Sequence, residues 1–123
     1  MTNVNRKFVL IIQANQQDVG KAVHGLLYGQ ELHAEGFEVE IVFDGAGTEW
    51  PGEFSNASHP FHALYKEVMK LGIIKGGCQA CSSFFQTDEA IQEAGVTLVG
   101  NEQTGGHIPF AQYIKDGFHP IVL

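Results

Sequence analysis

Short apolar, β-branched runs alternate with amphipathic stretches along this chain, and that alternation predicts the elements. Residues 8–13, apolar through Ile12, read as a buried strand. Asp18 then offers an N-cap, and Val19, Ala22, Val23, Leu26, Leu27 and Gln30 share one helical stripe until Gly36 stops it. Residues 37–43 alternate as a second strand ending at Asp44-Gly45, and a Gly/Pro-punctuated loop with Trp50, Pro51 and Phe54 follows over 46–58. Ser58 or His59 precedes a second helix with Pro60 in its first turn, an apolar face of Phe61, Leu64, Tyr65 and Val68, and Gly72 as its stop. Residues 73–77 read as a third strand, leading straight into Cys78-Gln79-Ala80-Cys81. Thr87 or Asp88 caps a short helix through Ala94-Gly95, 96–99 form a fourth strand, and 101–106 a polar loop. A helix over 109–115 and a strand over 119–123 close the pattern. Five short strands separated by helices, with no hairpin turn, predict an α/β fold. Its form is a three-layer α/β/α sandwich around a five-stranded parallel sheet, in a single domain spanning 1–123. The order of the strands stays open.

In such folds ligands bind at the carboxyl ends of the strands, where helix N-termini also point. Asn15 falls there after the first strand, Asp44 after the second, and Asn101 after the fourth. His59 and His62 start the second helix on the same edge, and Cys78 and Cys81 follow the third strand. Asn15, Asp44, His59, His62 and Asn101 are the candidate substrate-binding residues beside the two cysteines.

Charge narrows the functions. Seven Lys+Arg against fourteen Asp+Glu give a net charge of −7 over 123 residues. Nucleic-acid binding needs a basic face, and no Lys/Arg cluster exists beyond Arg6-Lys7. The same balance argues against an anionic membrane surface. The longest apolar run, 8–12, is far short of the roughly 20 residues of a membrane span, so the expected location is cytoplasmic. Two cysteines three apart are no disulfide framework.

Four readings of the cysteines stay open: two small buried hydrophobes, a functional thiol at a helix N-terminus, a dithiol redox pair, or a metal site. His59-x-x-His62 with Cys78-x-x-Cys81 supplies ligands that zinc accepts. His24, His33, His107 and His119 stand singly and read as solvated or core residues. No G-x-G-x-x-G, phosphate-binding P-loop or G-x-S-x-G elbow is present, and the residues call for no cofactor.

The chain resembles the DsrE-like sulfur-relay family, which includes DsrE, TusD and the YchN-like proteins. Residues 7–12 look like the family's first strand, 32–39 like its helix–Gly–strand junction, and 42–45 like its second strand entering a loop. Leu71-Gly72-Ile73-Ile74-Lys75-Gly76-Gly77-Cys78 is similar to the segment that carries the family's sulfur-accepting cysteine, six residues after a Gly. The resemblance implies that Cys78 accepts sulfane sulfur as a persulfide and passes it on. It also implies sulfur donor and acceptor proteins as partners, and assembly as a homotrimer or homohexamer. Two departures stand out: Cys81 is an additional cysteine, and Phe84-Phe85 replace basic residues that follow the cysteine in TusD-like members. Cys81 then reads as a resolving thiol or as packing. Cys78 is expected to be the more acidic and reactive thiol and Cys81 the more buried. Trp50, Phe54, Phe84 and Phe85 offer aromatic surface for assembly, or else roof the sheet edge. From a different functional class, the chain reads as an oligomeric module holding a small ligand or zinc, with incidental cysteines.

Overall fold

β1 (Lys7–Ile12) is apolar from Phe8 onward because both its faces are buried from Val9 to Ile12. Leu10 and Ile12 enter one core cluster with Ile41 and Phe43, while Val9 and Ile11 enter a second with Val42, Cys78, Ile108 and Phe118. A strand covered on both sides has no polar face to alternate with. The chain is described by a computed structural model covering residues 6–123, so the first five positions of the expected 1–123 domain lie outside the described residues. Its five strands are β1, β2 (Glu38–Phe43), β3 (Ile74–Cys78), β4 (Leu98–Val99) and β5 (Phe118–Val122), all parallel, in the order β4-β3-β2-β1-β5. Leu10 pairs with Ile41 and Ile12 with Phe43, which keeps each strand's core residues on the same face as its neighbour's.

This order explains the layers. From β1 to β4 the chain steps outward one strand at a time, and right-handed crossovers put the intervening helices on one face. α1 (Val19–Ala34), α2 (Trp50–Ser55) and α3 (His62–Lys70) supply Leu26, Trp50, Phe54, Tyr65 and Val68 to that core. α4 (Gln79–Phe84) follows β3 directly, and α5 (Asp88–Glu93) buries Ile91. From β4 the chain steps back past β1 to reach β5, so α6 (Phe110–Lys115) falls on the opposite face, where Tyr113 packs edge-on against Phe118 at 5.2 Å. The three-layer α/β/α sandwich is therefore present.

Several local expectations change. The 46–58 segment is mostly helical: a 3-10 turn (Gly45–Glu49) runs into α2, with Pro51 in its first turn. Trp50 and Phe54 are buried rather than free for assembly, stacked at 4.9 Å, and the Trp50 indole N–H donates to Ala14 O at 2.6 Å. Pro60 precedes α3, which begins at His62. β4 shrinks to two residues. Leu27 is exposed, and Gly25 and Gly29, on a different side of α1, face the sheet instead: a Cβ on Gly25 would meet Ile12 Cδ1 at 2.6 Å. Asp18 makes no capping hydrogen bond; Asn15 caps a 3-10 turn ahead of α1 by accepting the Gln17 N–H. Among the described residues no helix is long and apolar enough to cross a membrane.

Candidate functional site

The two cysteines lie where β3 turns directly into α4, without an intervening loop. Gly76 and Gly77 are buried ahead of them: a Cβ on Gly77 would meet Ile91 Cδ1 at 2.9 Å. Cys78 itself occupies the N-cap of α4, and its Sγ accepts the Cys81 backbone N–H at 3.5 Å. The Ser82 hydroxyl donates to Cys78 O at 2.6 Å and closes the same turn. The first bond aims a backbone donor at the Cys78 sulfur, and the second fixes the backbone that carries it.

A second layer comes from the neighbouring strands. Asp44, just past β2, accepts the Cys81 thiol at 3.7 Å through one carboxylate oxygen and the Gln13 amide at 2.8 Å through the other. The segment after β4 folds over the end of β3. Ala80 N–H donates to Gly106 O at 2.9 Å, and Thr104 Oγ1 donates to His107 O at 2.7 Å. His107 Nδ1 and Gly106 O each lie 3.9 Å from Cys78 Sγ. Cys78 is fully buried beneath this segment, whereas Cys81 is half-buried and His107 exposed. The expectation that Cys81 is the more buried thiol is reversed, because the segment after β4 roofs Cys78 and leaves Cys81 at its margin. Both cysteines are free.

Burial pushes the Cys81 thiol up from 9.0 to about 12, assisted by its hydrogen bond to the Cys78 sulfur and by the negative charges of Cys78 and Asp44. A raised folded-state value means that the unfolded chain sheds this proton first, so the associated stability is complete below about pH 9 and is lost as pH climbs toward 12. Melting temperature should therefore fall more steeply for the wild type than for Cys81→Ser between about pH 8 and pH 10.5. Parallel curves would contradict this.

The other expected site residues part company. Asp44 joins the cysteines. Asn101 contributes indirectly, pairing with Thr104 in a capping box and accepting the Gly106 N–H at 2.7 Å, which shapes the segment over Cys78. Asn15 is exposed in its own capping role. His59 accepts the Phe61 N–H at 3.1 Å, and His62 Nδ1 lies 2.8 Å from Phe54 O, so both are tied to the α2–α3 connection. Among the described residues, the group of three ligating side chains with donor atoms within 4.8 Å of one another is Cys78, Cys81 and His107. The zinc set that is one open reading of His59 and His62 with the cysteines is thus not assembled, and His107, expected as a solvated or core residue, takes the place beside the thiols. Its signal was topological: β3 and β4 are neighbours, so the loop leaving β4 borders the end of β3.

No family model matches the chain. It is 28% identical over 109 residues to an uncharacterized protein of Methanocaldococcus jannaschii, across 89% of this chain and 85% of the relative. Its fold is similar to that of a conserved protein of unknown function from Bacteroides thetaiotaomicron, with a TM-score of 0.72 and 18% identity over 100% of this chain and 99% of that one. These likenesses place the chain in a parallel α/β architecture that recurs in another solved protein, and the chemistry has to be argued from the thiols themselves.

Proposed function

We propose that the protein is a DsrE-like sulfur carrier that holds sulfane sulfur as a persulfide on Cys78. The observation that supports this most is the position of the Cys78 sulfur, 3.5 Å from the Cys81 amide and 3.9 Å from His107 Nδ1. The amide N–H stabilises a thiolate, and His107 in the tautomer protonated on Nε2 is the base that takes the thiol proton. The thiolate attacks the outer sulfur of a donor persulfide; the donor S–S bond breaks, a new S–S bond forms on Cys78, and the donor leaves as a thiolate. An acceptor thiolate then takes that outer sulfur and returns Cys78 to its starting state, with no net oxidation. In a second fate, Cys81 attacks the inner sulfur, hydrosulfide leaves, and a Cys78–Cys81 disulfide remains for external thiols to reduce. Asp44 opposes this route by holding the Cys81 proton.

Cys78 is sealed, so donor and acceptor reach it only when the Gly106–His107 segment lifts, and closure keeps the persulfide away from water. The partners are donor and acceptor proteins, and the cytoplasm, which keeps thiols reduced, suits two free cysteines. The test is to add a small-molecule persulfide donor to reduced, metal-free protein and weigh it intact. A gain of one sulfur atom that reductant removes is expected; an unchanged mass, or an adduct that resists reductant, would overturn the reading.

Assembly as a homotrimer or homohexamer belongs to the same proposal. Phe84 is 80% exposed just past the thiols, and Phe110, Ile114 and Val122 are also exposed. Large apolar side chains gain little from water and mark association surfaces where they gather. Light scattering should give a multiple of the chain mass; a value near 13.4 kDa at micromolar concentration would contradict it.

A further inference from the structure

We infer that Cys78, Cys81 and His107 form a three-ligand site for a zinc-class divalent cation, distinct from any arrangement involving His59 or His62. Two thiolates and one imidazole are ligands that Zn²⁺ accepts, and bond lengths of about 2.3 Å to sulfur and about 2.0 Å to nitrogen set ligand–ligand edges of roughly 3.5–3.8 Å in a tetrahedron. The Cys78 Sγ–His107 Nδ1 separation is already 3.9 Å, and all three donor atoms lie within 4.8 Å of one another. Closing onto a metal therefore needs a contraction of about 1 Å or less, within the reach of side-chain rotation at half-buried Cys81 and exposed His107.

The surroundings fit a metal thiolate. The Cys81 N–H already points at Cys78 Sγ, the kind of outer hydrogen bond that orients and tempers a bound thiolate. Two thiolates balance the double charge of the cation, the Asp44 carboxylate 3.7 Å from Cys81 Sγ adds further negative charge that favours a cation, and the protons still on the two thiols leave as the metal enters. The three ligands come from the β3–α4 junction and the segment after β4, so the metal would also pin that segment over Cys78. Three protein ligands leave the fourth position to water or an external thiol, as in open rather than closed zinc sites.

Zinc and sulfane sulfur would compete for Cys78, so metal loading would hold the carrier idle. That competition rests on the sulfur-carrier reading; the metal site rests only on the three ligand atoms. The two can fail separately, because sulfur uptake is measured on metal-free protein and zinc binding without any persulfide.

The experiment is titration of reduced, chelator-stripped protein with Zn²⁺ against a chromophoric chelator, repeated with Co²⁺ as a spectroscopic stand-in. One equivalent per chain is expected, with tetrahedral cobalt bands and thiolate-to-cobalt charge transfer. Cys81→Ser should lose the charge transfer in part and His107→Ala should weaken zinc by at least about tenfold, since even losing a partner that orients a ligand costs 10–100-fold. His107 is exposed, so its variant should keep the fold, and His59→Ala should bind zinc as the wild type does. Substoichiometric binding, a cobalt spectrum without charge transfer, or a His107→Ala protein that binds zinc undiminished would each overturn the site.

Discussion

Cys78→Ser is expected to take up no sulfur from a persulfide donor, while Cys81→Ser takes up one atom and keeps it longer than the wild type. The first half follows from two facts: a serine hydroxyl forms no persulfide, and the Cys81 thiol left behind, pushed up to about 12, stays protonated near neutral pH and is a poor nucleophile. What makes the experiment readable is the backbone position. Cys78 is the N-cap of α4 and its sulfur accepts the Cys81 N–H, a place where serine is among the favoured residues. The variant oxygen can accept the same hydrogen bond, so the fold should survive and loss of uptake reports the missing thiol. The second half follows from Cys81 as the nearest group able to resolve a persulfide on Cys78. Its removal closes the route to the disulfide. Equal uptake by Cys78→Ser and the wild type, monitored by intact mass, would count decisively against the carrier reading.

Gly47→Ala should produce a large loss of stability. Gly47 lies in the turn between β2 and α2, and its N–H donates to Asp44 O at 2.8 Å. An added Cβ would fall on the carbonyl oxygen of Ile12, lie 2.8 Å from Ile12 C, and lie 3.2 Å from Gln13 Cα. These are backbone atoms of the central strand and its exit, so no flexible side chain can yield. The same Ile12 carbonyl accepts the Asp44 N–H at 2.9 Å, so relieving the clash also disturbs the residue that holds the Cys81 proton. Overpacking usually costs about 1–3 kcal/mol, and a backbone clash belongs at or above the top of that range. For a domain of this size, a loss of about 3 kcal/mol lowers the melting temperature by roughly 10 °C. Gly20→Ala is the control, because nothing lies within 4 Å of the Cβ it adds at an exposed position of α1. If calorimetry puts Gly47→Ala within 2 or 3 °C (about 1 kcal/mol) of the wild type, the close packing of the turn on β1 is wrong.

The sheet was legible because burial on both faces writes itself into the chain as continuous apolar runs, most plainly in β1. The cysteine pair was legible for a related reason: it follows the third such run, and parallel sheets put chemistry at that end. α2 was hidden because its six residues are too short to display a helical period, and Gly45, Gly47 and Pro51 read as loop. Trp50 is buried there by a hydrogen bond to Ala14 O, 36 residues away, which no local pattern records. His107 was hidden by the same kind of distance. It meets Cys78 only because β4 pairs with β3, and a short β4 gave little sign of where its exit would lie. His59 and His62 misled in the opposite sense. Their spacing suits zinc, but hydrogen bonds within the α2–α3 connection already hold them.

The most direct measurement maps the sulfur to an atom. Metal-free protein loaded with sulfane sulfur is trapped with an alkylating agent, digested without reductant, and sequenced by peptide mass. The chemistry proposed for Cys78, with its buried sulfur at the α4 N-cap and His107 beside it, predicts the alkylated persulfide on Cys78 and no extra sulfur on Cys81. An alkylated persulfide on Cys81, with no extra sulfur on Cys78, would contradict it.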